Sequence, residues 1–447
     1  MSSQPPNSSR PDLQQGVLID EIVSGRFRDP EHGQLLQVPY ECIVIAPDLR
    51  GQERELIDAL RFPGRLAVVS DGATHGALGE RVEAALSGGY QVESVVLERP
   101  HADEEELARL KERVGSAGAL IAVGSGTVND LCKYVTSQSG RPYAVFGTAA
   151  SMNGYTSTTS SITLRSGLKT SLPAQAARGV FIDLSVSAAA PAYLAASGFG
   201  DSLCRSTAQV DSWLAHRLLG AVYTPTPFAI QGQNEAAMLE RAGGVRERDP
   251  AALASLHRVL ALCGLGVSLT GTTNHGSMGE HQISHYIDCF AGARHPGTLH
   301  GQQVGVASIT MSRLQRWFLG LAEPPTLRPT VIDEAGVRRR MGAAADPCLE
   351  QWRQKALDEE GAARLTARLR ALWPALRQEC APFVLEPETM RERLHTAGGP
   401  TTPEELDLDP DFYREAALHA REMRNRFSVL DLLADAGLLE DTLDEVS

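Results

Sequence analysis

The chain has 447 residues, enough for two or three domains at about 100–200 residues each, and its 43% hydrophobic and 22% charged residues give it a globular composition. A net formal charge of -13 excludes a broad footprint on a phosphate backbone, so nucleic acid is not an expected partner and an anionic ligand needs a local basic pocket. Seven cysteines without a Cys-x-x-Cys pair fit neither a disulfide framework nor a zinc ribbon, and read as reduced thiols of a cytoplasmic protein.

In chain order, the opening MSSQPPNSSRPDLQQG lacks a basic-then-apolar signal pattern, and residues 1–36 are expected to form a disordered leader. No run approaches the roughly 18 consecutive apolar residues that cross a bilayer, so no membrane span is expected. Between Tyr40 and Asp183, short runs rich in Val, Ile and Ala predict strands at 42–46, 66–70, 92–97, 119–123, 143–146 and 180–182. Helical stretches at 51–60, 75–86, 104–114 and 128–137 alternate with them, which argues for a mostly parallel sheet covered on both faces. Beyond 183 the strand signals fade, and helices are expected at 188–219, 234–265, 279–291, 300–321, 346–359, 362–377 and 411–439. The expectation is an α/β dinucleotide-binding domain over 37–187 and an all-α domain over 188–447.

The run at 119–123 passes directly into Gly124-Ser125-Gly126-Thr127-Val128-Asn129-Asp130. Glycines at a strand-to-helix turn let backbone amides approach a pyrophosphate, and the helix N-terminus adds partial positive charge. The third glycine of the dinucleotide fingerprint is missing, so on pattern alone a tight turn without a ligand fits as well. Asp71, at the end of an earlier strand, suits a ribose hydroxyl, and equally a helix cap.

Asp201 and three histidines offer metal chemistry. His281 and His285 are four apart in Gly279-Glu280-His281-Gln282-Ile283-Ser284-His285, so on a helix they share a face. His300 opens Leu299-His300-Gly301-Gln302-Gln303, where small residues allow close helix packing. Asp201 follows Ser197-Gly198-Phe199-Gly200, and taken singly it reads as a helix N-cap. One carboxylate and two imidazoles with open positions suit zinc, iron or nickel as a Lewis acid, and ligand types alone do not choose among them.

Taken together, GSGTVND, PYAVFGTAASMNGYTS, GLKTSLPAQ, ASGFGDSLCRSTAQVDSWLAH, GEHQISH and LHGQQVG resemble the sn-glycerol-1-phosphate dehydrogenases of the iron-containing alcohol dehydrogenase and dehydroquinate synthase superfamily. The match runs in order from about Tyr40 to Leu439, and Arg424-Asn425-Arg426-Phe427-Ser428-Val429-Leu430-Asp431-Leu432 looks like the ending of its bacterial branch. The resemblance implies an N-terminal α/β nucleotide-binding domain and a C-terminal helical metal-binding catalytic domain, with the reaction in the cleft between them. It implies Asp201, His281 and His300 as ligands of one divalent metal. Cofactor contacts with NAD or NADP are implied for Asp71, Gly124, Gly126, Thr127, Asp130, Thr148 and Ser151. Lys169 is placed near substrate or nicotinamide, and His285 in the second shell or a proton relay. Where the family pattern has an Asp, this chain has Asn153 beside the substrate, and where it usually has an Arg suited to phosphate, this chain has His275. The implied reaction is interconversion of dihydroxyacetone phosphate and sn-glycerol 1-phosphate, a small phosphorylated substrate, in a homo-oligomer. A dehydrogenase of another small polyol or polyol phosphate, a dehydroquinate synthase-like lyase, and a relative that binds without turnover are the competing readings.

Overall fold

The apolar runs form one parallel sheet because each central strand has both faces to bury. In the computed structural model, which describes residues 11–446, the strands are β1 (Cys42–Ala46), β2 (Arg65–Asp71), β3 (Gln91–Leu97), β4 (Ala119–Gly124) and β5 (Tyr143–Gly147), then β6 (Thr159–Thr163), β7 (Lys169–Pro173) and β8 (Gly179–Asp183). The sheet order is β1-β8-β5-β4-β2-β3, parallel at every pairing. Leu66, Val68, Ile121, Val123 and Phe146 face one core, while Ala67, Val69, Leu120, Ala122 and Val145 face the other. β3 lies outside β2 and β4 returns to the other side of β2, so the strand order reverses between β2 and β4. The carboxyl ends of these two strands, Asp71 and Gly124, flank that reversal, where doubly wound sheets open a crevice for ligands.

The helices that carry the site or pack in the core behind it are α1 (Pro11–Val23), α2 (Gly126–Ser139), α3 (Ala192–Leu219), α4 (Pro250–Thr270), α5 (Gly279–Phe290) and α6 (His300–Gly320). One core joins Ile43, Val145 and Val180 of the sheet to Phe199 and Leu203 of α3 and to Leu253, Leu256 and Leu260 of α4. A second core, with Val210, Ile283, Leu314 and Trp352, lies wholly among later helices. We propose 37–187 and 188–447 as the domain division, with the first core crossing it.

Several boundaries differ from the sequence-based expectation. The leader expected over 1–36 is helical from Pro11: Leu18, Ile19 and Ile22 of α1 are buried in the first core, while 1–10 lie outside the described residues. The helix expected at 234–265 divides into Pro225–Glu240, Ala242–Glu247 and α4, because Asp249 accepts the Ala252 N–H at 2.9 Å and Pro250 takes the first helical position. The 188–219 helix breaks at Pro191. The stretch 411–439 is Pro410–His419, a turn at Ala420–Met423, an extended link and then Val429–Ala436. Asp431 Oδ2 accepts the Ser428 N–H at 2.9 Å there, and a new helix starts. β6 and β7, too polar to read as strands, form an antiparallel hairpin. α4 is long and apolar enough, by length and composition, to cross a membrane, with mean hydropathy 1.6; His257 and Arg258 interrupt its apolar run, and 83% of the window is buried in the protein.

His257 ties α4 to the helix Leu184–Ala189 through a 2.9 Å hydrogen bond between Nε2 and Ser187 Oγ, and burial pushes the imidazole down to about 3. The unfolded ring titrates near 6.5, so below that pH the unfolded state takes up a proton that the folded state does not. Stability is therefore lost as pH falls from 6.5 towards 3, by about 2 kcal/mol from this ring at pH 5. A His257→Gln variant, weaker at neutral pH, is expected to lose about that much less between pH 7 and pH 5 in denaturant titrations. Equal acid losses in the two proteins would show that another group is responsible.

Candidate active site

α3 and α6 meet backbone to backbone. A Cβ on Gly198 would overlap the Ala150 carbonyl, one on Gly200 the Gly301 carbonyl, and one on Gly301 the Ser197 carbonyl. This closeness brings Asp201, buried in the interior of α3, to His300, the first residue of α6. The N-cap reading of Asp201 is thereby corrected: α3 begins at Ala192, before the Gly-rich stretch. His281 enters from the first turn of α5. One ligand atom from each of Asp201, His281 and His300 lies within 4.8 Å of the others, and Asp201 Oδ1 is 3.5 Å from His281 Nε2.

The surrounding hydrogen bonds fix both rings for ligation. His281 Nδ1 donates to Glu280 Oε1 at 3.0 Å, which leaves Nε2 with its lone pair. Ser284 donates to Gln303 Oε1 at 2.8 Å, so its oxygen accepts from His300 Nδ1 at 2.9 Å and His300 Nε2 is likewise free. Asp201 Oδ2 accepts the Asn153 N–H at 3.2 Å, while the buried Oδ1 has no hydrogen-bond donor. Two lone pairs and an orphaned carboxylate oxygen fit a divalent cation. Burial lowers the basicity of His281, yet Asp201 and Glu280 outweigh it and raise the ring above its ordinary value, a field that favours positive charge at this point. Burial and then the Lys169 ammonium push His300 down to about 3, so that ring is neutral. Cys204, Glu280 and His281 also cluster, but Glu280 is occupied by Met278 N–H, His281 and the Thr207 hydroxyl, and Cys204 donates to Gly276 O, so this layer holds His281 in place.

The three residues line a cleft of about 490 Å³ together with Gly126, Thr127, Asp130, Ser151, Asn153, Lys169 and His285. Val128 lies where a side chain on Gly124 would go, 2.7 Å from its Cβ, so this glycine serves the close packing of β4 on α2. Thr148 is buried behind the turn and donates its N–H to Gly124 O at 3.1 Å; neither residue lines the cleft. Asp71 faces an adjoining cavity shared with Arg99, Ser125 and Thr127, and also caps the following turn by accepting Thr74 N–H at 2.8 Å. Asp130 accepts from Ser161 N–H and Lys133, and Lys133 bonds the Gly154 and Thr159 carbonyls, fastening the hairpin to α2. Lys169 pairs with Asp288 at 2.6 Å. Asn153 bonds Asp201 through its backbone and Cys263 Sγ through its amide. His275 turns away from the cleft: Nε2 donates to Cys263 O at 2.9 Å, and burial holds the ring down to about 4.

His285 is outside the ligand trio. Arg424 donates into its Nδ1 at 2.5 Å, so the hydrogen of the neutral ring is on Nε2, and burial and that guanidinium hold its basicity well below the ordinary value. Sequence reasoning missed Ser284 and Asp288, although they follow His281 at the third and seventh positions of the same helix face. It also gave no role to Glu280 or Gln303.

A family description for iron-containing alcohol dehydrogenase matches residues 44–191. The chain is 27% identical over 432 residues to a glycerol-1-phosphate dehydrogenase [NAD(P)+] of Geobacillus thermodenitrificans, covering 94% of this chain and 99% of that one. It is 30% identical over 291 residues to a glycerol-1-phosphate dehydrogenase [NAD(P)+] of Methanoculleus marisnigri, covering 65% and 79%. Glycerol dehydrogenase from Schizosaccharomyces pombe shares the fold with a TM-score of 0.60 at 16% identity, over 91% of this chain and 90% of that one. With the parallel sheet and the helical half that it adjoins, these likenesses place the chain in the glycerol-1-phosphate dehydrogenase family.

Proposed function

We propose that the protein is a metal-dependent NAD(P) oxidoreductase interconverting dihydroxyacetone phosphate and sn-glycerol 1-phosphate, with Asp201, His281 and His300 as the metal ligands. The observation that carries this is the pair of Nε2 lone pairs facing the donor-free Asp201 Oδ1, in one cleft with the glycine turn at the end of β4. A divalent metal such as zinc, nickel or iron held by Asp201, His281 and His300 would supply Lewis-acid polarisation of a ketone oxygen, and a nicotinamide cofactor in the same cleft would supply the hydride for its reduction. Glu280 and Ser284 hold the two ligand rings in the required tautomer, and Asn153 holds Asp201 through its backbone N–H. His285 serves as a hydrogen-bond donor through Nε2; the relay expected from sequence needs a protonated ring, which burial and Arg424 oppose. The turn Gly126-Thr127, with Ser151 and the N-terminus of α2, takes the pyrophosphate. Asp71 suits a ribose diol and Arg99 in the same cavity suits a 2′-phosphate, which supports acceptance of both NAD and NADP.

Names of relatives and the cleft chemistry favour the phosphorylated ketone over other polyols. Purified protein with added zinc or nickel is expected to consume NADH or NADPH stoichiometrically with dihydroxyacetone phosphate, followed by nicotinamide absorbance. Turnover of glycerol in preference to glycerol 1-phosphate would move the assignment to a polyol dehydrogenase, and product formation without net cofactor change to a lyase. Seven unpaired cysteines support a reducing, cytoplasmic location, and a homo-oligomer remains part of the proposal.

A further inference from the structure

The extended link after the Ala420–Met423 turn places two guanidinium groups directly behind residues that line the cleft, against which both donate. Arg426 donates to Ser277 O, to Ser277 Oγ at 2.8 Å and to Thr273 Oγ1; Arg424 donates to Lys169 O at 3.2 Å and to His285 Nδ1. Thr273, Ser277, Lys169 and His285 all line the cleft. Every one of these partners is neutral, and among the described residues neither arginine makes an ion pair. The backbone of the link is pinned, with Gln282 Nε2 at 3.0 Å and Lys355 Nζ at 2.8 Å both donating to Arg426 O. Two cations are thus held side by side at considerable desolvation cost in a chain of net charge -13. Burial and then the neighbouring Arg424 push Arg426 down to about 9, with the Glu280 carboxylate opposing the shift.

The hydroxyls complete the arrangement. Thr273 Oγ1 and Ser277 Oγ each accept from Arg426 and, among the described residues, donate to no acceptor, so their own hydrogens can serve a ligand in the cleft. We propose that Arg426, acting with the Thr273 and Ser277 hydroxyls and supported by Arg424, is the binding site for the phosphate group of the substrate. A dianion with tetrahedral oxygens matches two guanidiniums and two hydroxyl donors, which a monoanionic carboxylate does not. The site shares no residue with the glycine turn proposed for the cofactor pyrophosphate. It also supplies the charge missing at His275, which lies between Thr273 and Ser277 but bonds back to α4. This deepens the reading of the substrate as a phosphorylated ketone and rests on it.

The test compares Arg426→Gln with the unmodified enzyme, both loaded with metal and NADH, on dihydroxyacetone phosphate and on unphosphorylated dihydroxyacetone. The expected result is a KM for the phosphate ester raised about 10- to 100-fold with kcat little changed, competitive inhibition by inorganic phosphate weakened to match, and an unaltered KM for dihydroxyacetone. Arg426→Lys restores part of the loss. An equal loss on both ketones with metal retained, or an unchanged KM for the ester, overturns the proposal. Calorimetric titration of inorganic phosphate into the metal-loaded protein separates this question from the substrate assignment. Phosphate binding that disappears in Arg426→Gln sustains the site even if dihydroxyacetone phosphate is not turned over. Equal binding in both proteins, or none in the unmodified one, overturns it. Should Arg426→Gln not fold, Arg426→Lys and the paired Thr273→Val and Ser277→Ala changes provide the same comparison.

Discussion

Replacing Asp201 with alanine is expected to remove the divalent metal and the activity together. The carboxylate is buried, its Oδ1 has no donor, and its Oδ2 is bonded only by the Asn153 N–H, so the change leaves the fold little altered. What remains is two neutral imidazoles, which cannot balance a dication in a desolvated site. Loss of Lewis-acid stabilisation worth several kcal/mol puts the expected fall in activity at about a thousandfold or more. Metal analysis of protein purified from metal-supplemented growth, read beside the ketone assay, is the check. Full metal occupancy in Asp201→Ala would remove Asp201 from the ligand set, and with it the basis for the whole site.

Gly200→Ala is expected to have the second large effect, through geometry alone. Its Cβ would overlap the Gly301 carbonyl and stand 3.3 Å from Gly305 Cα, contacts with backbone that no rotamer can relieve. α3 and α6 must then part, at a cost of about 1–3 kcal/mol or more. Asp201 is the next residue on α3 and His300 the one before Gly301 on α6, so the same displacement widens the gap between two ligands. Metal sites tolerate only about 0.2 Å of such error, so weaker metal binding should accompany the lower melting temperature. Gly126→Ala is the control for the fold, since its Cβ would meet only Met152 Cγ at 3.5 Å. A Gly200→Ala protein with unchanged melting and metal content would contradict the backbone contact.

The sheet was legible because Val, Ile and Ala runs of strand length have few other uses, and the ligand trio because each member stands in a distinctive small-residue setting. The polar hairpin Thr159–Pro173 was not, since its strands bury little and show no apolar alternation. The arginine link escaped for a local reason. Read as one helix over 411–439, the segment would carry Arg424 and Arg426 on a regular helical surface; the hydrogen bond from the Ser428 N–H to Asp431 Oδ2 marks a new start that stops that continuity. Ser428-Val429-Leu430-Asp431 is a helix-start signal that apolar periodicity had masked. Tautomers are a different matter: no spacing rule announces that Ser284 donates its hydroxyl hydrogen bond to Gln303 and so orients His300, because that depends on how α5 and α6 face one another.

The contact of α3 with α6 has a bearing on motion. With no side chains between them at the glycines there is nothing to repack, so the metal-bearing wall behaves as one stiff block. Any breathing that admits and releases the nucleotide must then be borne elsewhere. The Thr159–Pro173 hairpin is joined to α2 by Lys133 and Asp130 and to α5 by the Lys169–Asp288 pair, so its loosening is felt at the helix that carries His281.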